Sequence, residues 1–379
     1  YYSHKYFLKV ELMSIPFYNF EELHHDKFRG EIKERISKII DQGSFVEGEY
    51  NGLFEKEFAQ KQKSKHCLLV ANGTDALEIS LLAYGIKPGD KVGIPGITFY
   101  ASGEAVLNIG AIPVHIDIDP TSGLMCPESL ERILKDHDLK AVMPVHIYGL
   151  PANIDAIEKI CAPKDIKIVE DAAQAQGTFL SKGNPVGSSN NLTTFSFYPT
   201  KNLSAFGDAG CILFQDDSLV EKIIAIRNHG RGSDKLLGRN SRCDHIQAAV
   251  LQLKLAEVDG LNQNRKAIAK KYHELLEGLP FELLDSKFLE LSSWHLYPIQ
   301  FESVANREKA QKALQEKKIG CTAFYEKSMA DEKVLSQFEG ESTNARDFAG
   351  KTLCLPIHPF LKEDDQKVIA DVLKKALDA

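Results

Sequence analysis

The sequence LLVANGTDALEIS, residues 68–80, contains the unit on which the fold prediction rests. Its apolar run predicts a buried β-strand, and Asn72 and Gly73 mark a turn before a stretch with helical periodicity. Short apolar runs and amphipathic stretches keep alternating to about residue 215. This alternation predicts an α/β fold, in which helices flank a mostly parallel central sheet.

Seven apolar runs in this region predict strands: CLLVA, KVGIP, AIPVHIDI, AVMPVHIYG, IKIVEDA, TTFSFYP and GCILF. Four stretches between them predict helices: ALEISLLAYGI, ASGEAVLNIG, PESLERILKDH and IDAIEKICA. Ligands of parallel sheets bind beyond the carboxyl ends of the strands. The residues that follow each run are therefore the first candidates for a functional site.

The sequence changes character after about residue 245. A helix is predicted from Ile246, a polar turn at DGLNQNRK and a further helix after it. One strand, HLYPIQFE, and two helices, NREKAQKALQEKK and DDQKVIADVLKKAL, complete a smaller α+β domain. We therefore predict a large domain over residues 13–255 and a small domain over residues 256–379. Residues 1–12 are interpreted as an upstream extension or a remnant of cloning, because Met13 opens MSIPFYNF.

The charge and cysteine patterns exclude several classes of protein. The 46 basic and 53 acidic residues are interspersed and give a net charge of −7, so no nucleic-acid partner is expected. The seven cysteines form no CxxC pair and have no histidines at ligand spacing, so no metal site is expected. No apolar run is long enough to cross a membrane, and we expect a cytoplasmic protein.

A phosphate site is predicted where the first strand passes into its helix. Gly73 permits a tight turn, while the helix N-terminus and the Thr74 hydroxyl offer donors to an anion. The alternative is that Thr74 or Asp75 only caps the helix.

A carboxylate is predicted at the end of the strand in IKIVEDAAQAQG. Asp171 leaves this strand, and a helix containing Gln174 is expected to follow. The ordinary interpretation of Asp171 is a helix N-cap. The functional interpretation is a buried carboxylate held against a cationic ring nitrogen, because a buried carboxylate needs such a partner to stay ionised.

A lysine with aromatic neighbours follows the sixth strand, in SFYPTKNLSAFGDAG, residues 196–210. Lys201 is either a solvated surface charge or a reactive amine. The aromatic neighbours would partly desolvate its ammonium and lower its pKa, which favours attack on an aldehyde. These neighbours are Phe195, Phe197, Tyr198 and Phe206, and Ser196 and Asn202 add polar contacts.

Together the three segments supply a phosphate site, a carboxylate for a pyridinium nitrogen and an amine for an aldehyde. Those are the three handles of pyridoxal 5′-phosphate. The fingerprints of other enzyme classes, namely GxGxxG, GxxxxGK[ST], GxSxG and HExxH, do not occur in the sequence. A generic α/β binding domain without a cofactor is the remaining alternative.

Nine segments of the chain resemble the DegT/DnrJ/EryC1/StrS sugar aminotransferases, which have the fold type I (aspartate aminotransferase-like) architecture. The resemblance extends from about residue 13 to residue 379. The segments are GSFVEGEYNGLFEKEFA, NGTDALEISLLA, GITFYASGEAVLNIGAIPVHIDID, PVHIYGLPANID, VEDAAQAQGT, SFYPTKNLSAFGDAG, IRNHGR, GRNSRCDHIQAAVLQLKL and LPIHP.

The resemblance implies a role for each matching residue. Lys201 would carry the cofactor as a Schiff base and shuttle a proton, and Asp171 would pair with the ring nitrogen. The remaining cofactor contacts implied are Phe99 on the ring, Gln174 at its hydroxyl side, Gly73, Thr74 and Ser196 at the phosphate, and Asn228 from the neighbouring subunit of a homodimer. The implied substrate-binding residues are Tyr198, Asn240, Arg242, Tyr325 and His358. Tyr325 and His358 could equally be packing residues.

The implied reaction transfers an amino group from L-glutamate to a keto group of a nucleotide-linked sugar, by a ping-pong mechanism with pyridoxamine 5′-phosphate as intermediate. The residues FGDAG after Lys201 resemble members of the family that act at C3, with C4 as the alternative. A second alternative is a non-catalytic, pyridoxal-phosphate-binding regulatory homologue. Two departures concern the substrate: Ser204 stands where glycine is common, and TAFYEKSMADEKV lacks the proline and histidine of a YPxPxH stretch.

Overall fold

A seven-stranded sheet forms the centre of the computed structural model, which describes residues 15–233 and 237–377. The predicted extension 1–12 and the first two residues of the predicted large domain lie outside the described residues. All seven predicted strands are confirmed. They are β1 (His66–Val70), β2 (Lys91–Pro95), β3 (Ile112–Ile116), β4 (Leu139–Val142), β5 (Lys167–Asp171), β6 (Leu192–Ser196) and β7 (Gly210–Phe214).

The strands are arranged in the order β1-β7-β6-β5-β4-β2-β3. Strand β7 is antiparallel to both neighbours, and the pairs from β6 to β3 are parallel, so the prediction of a mostly parallel sheet is confirmed. All five residues of β7 and the last four of β5 are buried. Burial on both faces explains why these strands have continuous rather than alternating apolar sequences.

Helices cover the sheet, and each of the four predicted between strands is present. The described helices are α1 (Phe20–Leu23), α2 (Asp26–Gln42), α3 (Glu49–Lys61), α4 (Gly73–Ala83), α5 (Ala101–Asn108), α6 (Pro127–Asp136), α7 (Ile154–Cys161), α8 (Val220–Arg227), α9 (His245–Leu255), α10 (Val258–Leu276), α11 (Phe288–Leu291), α12 (Val304–Glu316), α13 (Thr343–Phe348) and α14 (Glu363–Leu377). None of those in the described ranges is long and apolar enough to span a membrane.

The C-terminal part differs from the prediction in two places. DGLNQNRK is not a turn but lies inside α10, because the chain bends earlier, between α9 and α10, and this polar stretch still buries Asn262 and Arg265. A strand that was not predicted, β9 (Thr352–Leu355), pairs antiparallel with β8 (Tyr297–Gln300). The division of the chain at residues 255 and 256 stays a prediction.

Candidate active site

A buried carboxylate lies where β5 ends. Asp171 is 5% exposed, and its Oδ2 accepts a hydrogen bond of 2.8 Å from Ser102 Oγ. The single hydroxyl hydrogen of Ser102 is used in that bond, so Thr98 Oγ1, 2.8 Å away, is the donor to Ser102. The backbone N–H of Ala173 donates to Asp171 Oδ1 at 3.1 Å. These hydrogen bonds fix the orientation of the Asp171 carboxyl group.

Gln174 follows Asp171 by three residues, but it does not lie on a helix. The prediction of a helix after Asp171 is wrong: two consecutive turns occupy residues 172–177. The Asp171 side chain engages the backbone of Ala173, and Gly177, at φ +90°, directs the chain out of the second turn. The Gln174 side chain accepts from the backbone N–H of Tyr148 at 2.6 Å and donates to Tyr325 Oη at 2.7 Å. Gln174 and Tyr325 are thus brought together from distant parts of the sequence.

The buried side chains of His146 and Glu170 form a second hydrogen-bonded pair next to Asp171. The backbone N–H of His146 donates to the carbonyl of Asp171 at 2.9 Å. His146 Nδ1 accepts from the backbone of Ala152, so its Nε2–H donates to Glu170 Oε2 at 3.0 Å. Burial alone would raise the pKa of Glu170, but the hydrogen bonds from His146, Ser189 and Asn191 outweigh it and hold the pKa below its usual value. The end of β5 is therefore fixed on both sides of Asp171.

Lys201 lies in the loop between β6 and β7. Burial lowers the pKa of its ammonium to about 8, and the negative charge of Asp171 opposes that shift. The next residue, Asn202, anchors the loop, because its Nδ2 donates to Asn262 Oδ1 and to the carbonyl of Ser293, both at 2.9 Å. These hydrogen bonds hold the loop that carries the amine. At a pKa of about 8, roughly one Lys201 side chain in ten is neutral at pH 7.

One of the aromatic neighbours predicted for Lys201 serves another lysine. The Phe206 ring contacts the rings of His24, 5.0 Å away, and Phe28, 5.9 Å away, and the Lys254 ammonium lies 5.1 Å from its centroid. Phe206 therefore packs against Lys254, and its role beside Lys201 stays a prediction. This packing could not be deduced from sequence proximity, because it joins the loop to α1, α2 and α9.

The predicted phosphate site combines the N-terminus of α4 with the end of β6. A Cβ added to Gly73 would lie 2.7 Å from Ser196 Cβ, so glycine is what allows this approach. The expectation that Thr74 or Asp75 caps the helix is wrong: the Asn72 side chain accepts from the backbone N–H of Asp75 at 2.8 Å. The Thr74 hydroxyl is not the cap, and it remains a candidate donor to an anion.

Three of the predicted residues form a group after α8. Asn228 ends this helix and forms an antiparallel bridge with Asn240, whose Oδ1 accepts from Arg242 Nη2 at 2.7 Å. Asn228 Oδ1 and Arg242 Nε are buried without a hydrogen-bond partner in the described part of the chain. Buried polar atoms without partners are rare in proteins, so these two atoms are candidate contacts of a bound group.

The other predicted residues differ in exposure. Phe99 is 64% exposed, so its ring is accessible to a flat ligand. Tyr198 is 36% exposed. Burial raises the pKa of Tyr325, whose hydroxyl stays protonated at neutral pH. His358 is 5% exposed and lines a cavity together with Lys201.

The sequence analysis missed three residues of this site. Ser102 comes one helical turn after Thr98, and this spacing was the available signal for a hydroxyl pair. Gly210 follows Lys201 in the quoted stretch, and an added Cβ there would lie 2.5 Å from the Asn72 carbonyl oxygen. Arg265, which lines the cavity of His358, gave no signal, because its burial depends on how α10 packs.

Comparison with known proteins identifies the family of this chain. The model of the DegT/DnrJ/EryC1/StrS aminotransferase family matches residues 26–374. The chain belongs to this family. The resemblance stated from nine sequence segments is thereby confirmed, and so is the expectation of an aminotransferase.

Similar members of the DegT/DnrJ/EryC1/StrS family match almost end to end. The erythromycin biosynthesis sensory transduction protein EryC1 of Saccharopolyspora erythraea is 34% identical over 96% of this chain and 99% of its own length. A UDP-N-acetyl-3-dehydro-α-D-glucosamine 3-aminotransferase of Acidithiobacillus ferrooxidans is 34% identical over 93% and 96%. The crystal structure of DesV of Streptomyces venezuelae, in complex with a ketimine intermediate, superposes with a TM-score of 0.90 at 32% identity, over 96% and 99%. The predicted aminotransferase fold is confirmed.

Proposed function

We propose that the protein is a pyridoxal-phosphate-dependent aminotransferase that transfers an amino group from L-glutamate to the C3 keto group of a nucleotide-linked sugar. The observation that carries this proposal is Lys201, an amine whose pKa burial lowers to about 8, held within the influence of the Asp171 carboxylate. A buried lysine with a lowered pKa is the nucleophile that aldehyde chemistry requires. Membership of the aminotransferase family supports the reaction class.

The residues at the ends of the strands fit the cofactor. Gly73, Thr74 and Ser196 would hold its phosphate, since a helix N-terminus attracts anions and Gly73 leaves room beside Ser196. Asp171, supported by Ser102, would pair with the ring nitrogen.

Three further residues complete the proposed cofactor site. Gln174 would contact the hydroxyl of the ring, and the exposed Phe99 would stack on its face. Asn228, whose Oδ1 is buried without a partner in the described residues, would reach the phosphate of a neighbouring subunit. Each residue supplies a group whose chemistry matches one part of pyridoxal phosphate.

Lys201 would also move the proton that the transfer requires. When bound, pyridoxal phosphate supplies an aldehyde and an electron-withdrawing ring, which together store the amino group between the two half-reactions. In each half-reaction Lys201 Nζ would take a proton from one carbon and deliver it to another: from the amino-acid carbon to the cofactor carbon in the first, and from the cofactor carbon to the sugar carbon in the second. A pKa of about 8 lets the same nitrogen accept and donate near neutral pH.

Action at C3 is supported by the relative from A. ferrooxidans, which is named as a 3-aminotransferase of a UDP-linked sugar. The residues FGDAG after Lys201 favour the same position. We propose Tyr198, Asn240, Arg242 and Tyr325 as contacts of the sugar nucleotide. The amino sugar would serve a surface polysaccharide or a glycosylated metabolite.

A two-step absorbance experiment tests the proposed reaction. The holoenzyme is first converted to the pyridoxamine form with L-glutamate, and 3-keto and 4-keto nucleotide sugars are then added separately. We expect the absorbance of the pyridoxal form to return only with the 3-keto sugar. Recovery with only the 4-keto sugar would contradict the assignment of C3, and failure of glutamate to convert the cofactor would contradict the amino donor.

A homodimer with shared active sites and a cytoplasmic location are also part of the proposal. The unpartnered Asn228 Oδ1 and Arg242 Nε support the shared sites, because a second subunit could satisfy both atoms. The enzyme is diluted until sedimentation shows a monomer, and turnover is assayed at each dilution. Turnover should be abolished in the monomer. A monomer with full activity would refute the shared site.

A regulatory protein without turnover is the second candidate, because the relative from S. erythraea is named a sensory transduction protein. The charge of Asp171 acts on Lys201, and Gln174 follows Asp171 by three residues, which supports catalysis instead. Lys201→Ala decides between the two. Loss of turnover in this variant is expected, and retention of full turnover would sink the catalytic assignment.

A further inference from the structure

A second basic group lies beside Lys201 in a narrow cavity. The cavity is lined by the N-terminal segment around Tyr18, the Lys201 loop, helix α10 and the segment around His358. Arg265 and His358 line this cavity together with Lys201. Its titratable lining is thus basic, apart from the Tyr18 phenol.

Arg265 is buried without a carboxylate partner in the described ranges. Its side chain is 8% exposed, and Nη1 donates to the carbonyls of Ile357 at 2.8 Å and Trp294 at 3.4 Å. Burial lowers the pKa of the guanidinium to about 10, with Tyr18 acting in the opposite direction. Guanidinium groups remain protonated at that value, so a positive charge faces the cavity with only neutral acceptors. A buried charge normally has an ionic partner.

His358 is the second group without a partner. It is 5% exposed, and neither ring nitrogen has a hydrogen-bond partner among the described residues. Burial and the charge of Arg265 lower its pKa to about 4, so the ring is neutral at pH 7 and offers one N–H donor. A buried polar group without a hydrogen-bond partner is unfavourable, and a ligand that bonded to His358 would remove that penalty.

We propose that Arg265 and His358 bind the α-carboxylate of the amino donor. This inference rests on the proposed function. In an α-amino acid the carboxylate is attached to the carbon that carries the amine, so an anion site on the wall shared with Lys201 places that carbon near the reacting nitrogen. In a nucleotide-linked sugar, by contrast, the diphosphate is several bonds from the keto carbon. Guanidinium groups also match the planar, two-oxygen geometry of a carboxylate.

Thermal unfolding of the apo-protein tests the site without turnover. Glutarate, an unreactive dicarboxylate, should raise the Tm of the wild-type apo-protein, because a ligand that binds only the folded state stabilises it. His358→Leu should remove this shift. Inorganic phosphate should stabilise both proteins equally, since its site is at Gly73 and Ser196. Loss of the phosphate shift instead of the glutarate shift would overturn the proposal.

His115→Leu is a matched control. His115 is also a buried histidine with an unpartnered Nδ1 among the described residues, but it lies on β3 and does not line the cavity. We expect this variant to keep the glutarate shift even if its own Tm falls. Loss of the shift in both variants would show a general effect of buried histidines and would contradict a specific site.

Arg265→Lys provides a second test that keeps the positive charge. With its flexible ammonium in place of the guanidinium fork, the KM for glutamate should rise at least tenfold, while the KM for the keto sugar changes less than threefold. An equal rise in both KM values, or no change in either, would overturn the inference. If glutamate fails to convert the wild-type cofactor, the proposed function fails, whereas the dependence of the glutarate shift on His358 still decides the anion site.

Discussion

The lowered pKa of Lys201 predicts how fast the apo-protein captures pyridoxal phosphate at each pH. Burial lowers this pKa from 10.5 to about 8. At pH 7 the amine is then neutral in roughly one molecule in ten, against roughly one in 3,000 for an ordinary lysine, an advantage of about 300-fold. Because only the neutral amine attacks an aldehyde, the capture rate should rise about tenfold per pH unit below pH 8 and level off above it.

Stopped-flow mixing of apo-protein with pyridoxal phosphate, between about pH 6 and about pH 10, measures this profile. Reaction of the cofactor with a small free amine, measured in parallel, removes the titration of the cofactor itself. A rate that still rises tenfold per unit up to pH 10 would refute the reasoning, because it would show an ordinary lysine. Asp171→Asn tests the direction of this effect. The charge of Asp171 raises the pKa of Lys201, so its loss should move the midpoint of the rate profile below pH 8.

The control for this experiment is Lys254, a lysine on α9 that is 6% exposed. Burial lowers the pKa of Lys254 to about 7, so it too could react with an aldehyde. Its Nζ donates to Ser204 Oγ at 3.0 Å, and it lies over two aromatic rings. We expect Lys201→Ala to abolish capture and Lys254→Met to retain it. The reverse result would identify Lys254, on α9, as the reactive amine.

Three further predictions concern the support of the site. Ser102→Ala removes a hydrogen bond to a buried carboxylate and should weaken cofactor binding about 10- to 100-fold, measured by equilibrium titration of the apo-protein, whereas Ser102→Thr should bind as the wild type does. Gly73→Ala places a methyl group 2.7 Å from a neighbouring Cβ and should weaken cofactor retention in dialysis; Gly52→Ala, in open space on α3, should have no such effect. Glu170→Gln should lower the free energy of unfolding by about 3 kcal/mol in urea titrations at pH 7. Because the folded-state pKa of Glu170 is lowered, its ionic contribution is present above about pH 4.5 and is lost as the pH falls through the folded-state pKa, so the difference between wild type and variant should shrink in acid.

Much of the site could be predicted because it follows directly from strand ends. Gly73, Asp171 and Lys201 each come within a few residues of a strand in the sequence, and parallel strands present such residues at one edge of the sheet. The helix expected at Gln174 was wrong because an aspartate side chain can satisfy backbone donors in turns as well as in helices. Local sequence does not distinguish these two outcomes.

The amino-acid sequence by itself determined the alternation of strands and helices, the residues at the strand ends and the position of Lys201 after β6. These features are local, since they depend on hydrophobic periodicity and on residues adjacent in the chain. Tertiary structure alone decided that Ser102 donates a hydrogen bond to Asp171 and that Gln174 donates one to Tyr325. It also placed Arg265 and His358 in one cavity. Those contacts join segments tens to more than a hundred residues apart. They arise from the packing of helices against the sheet, which fixes the burial and hence the pKa of each group.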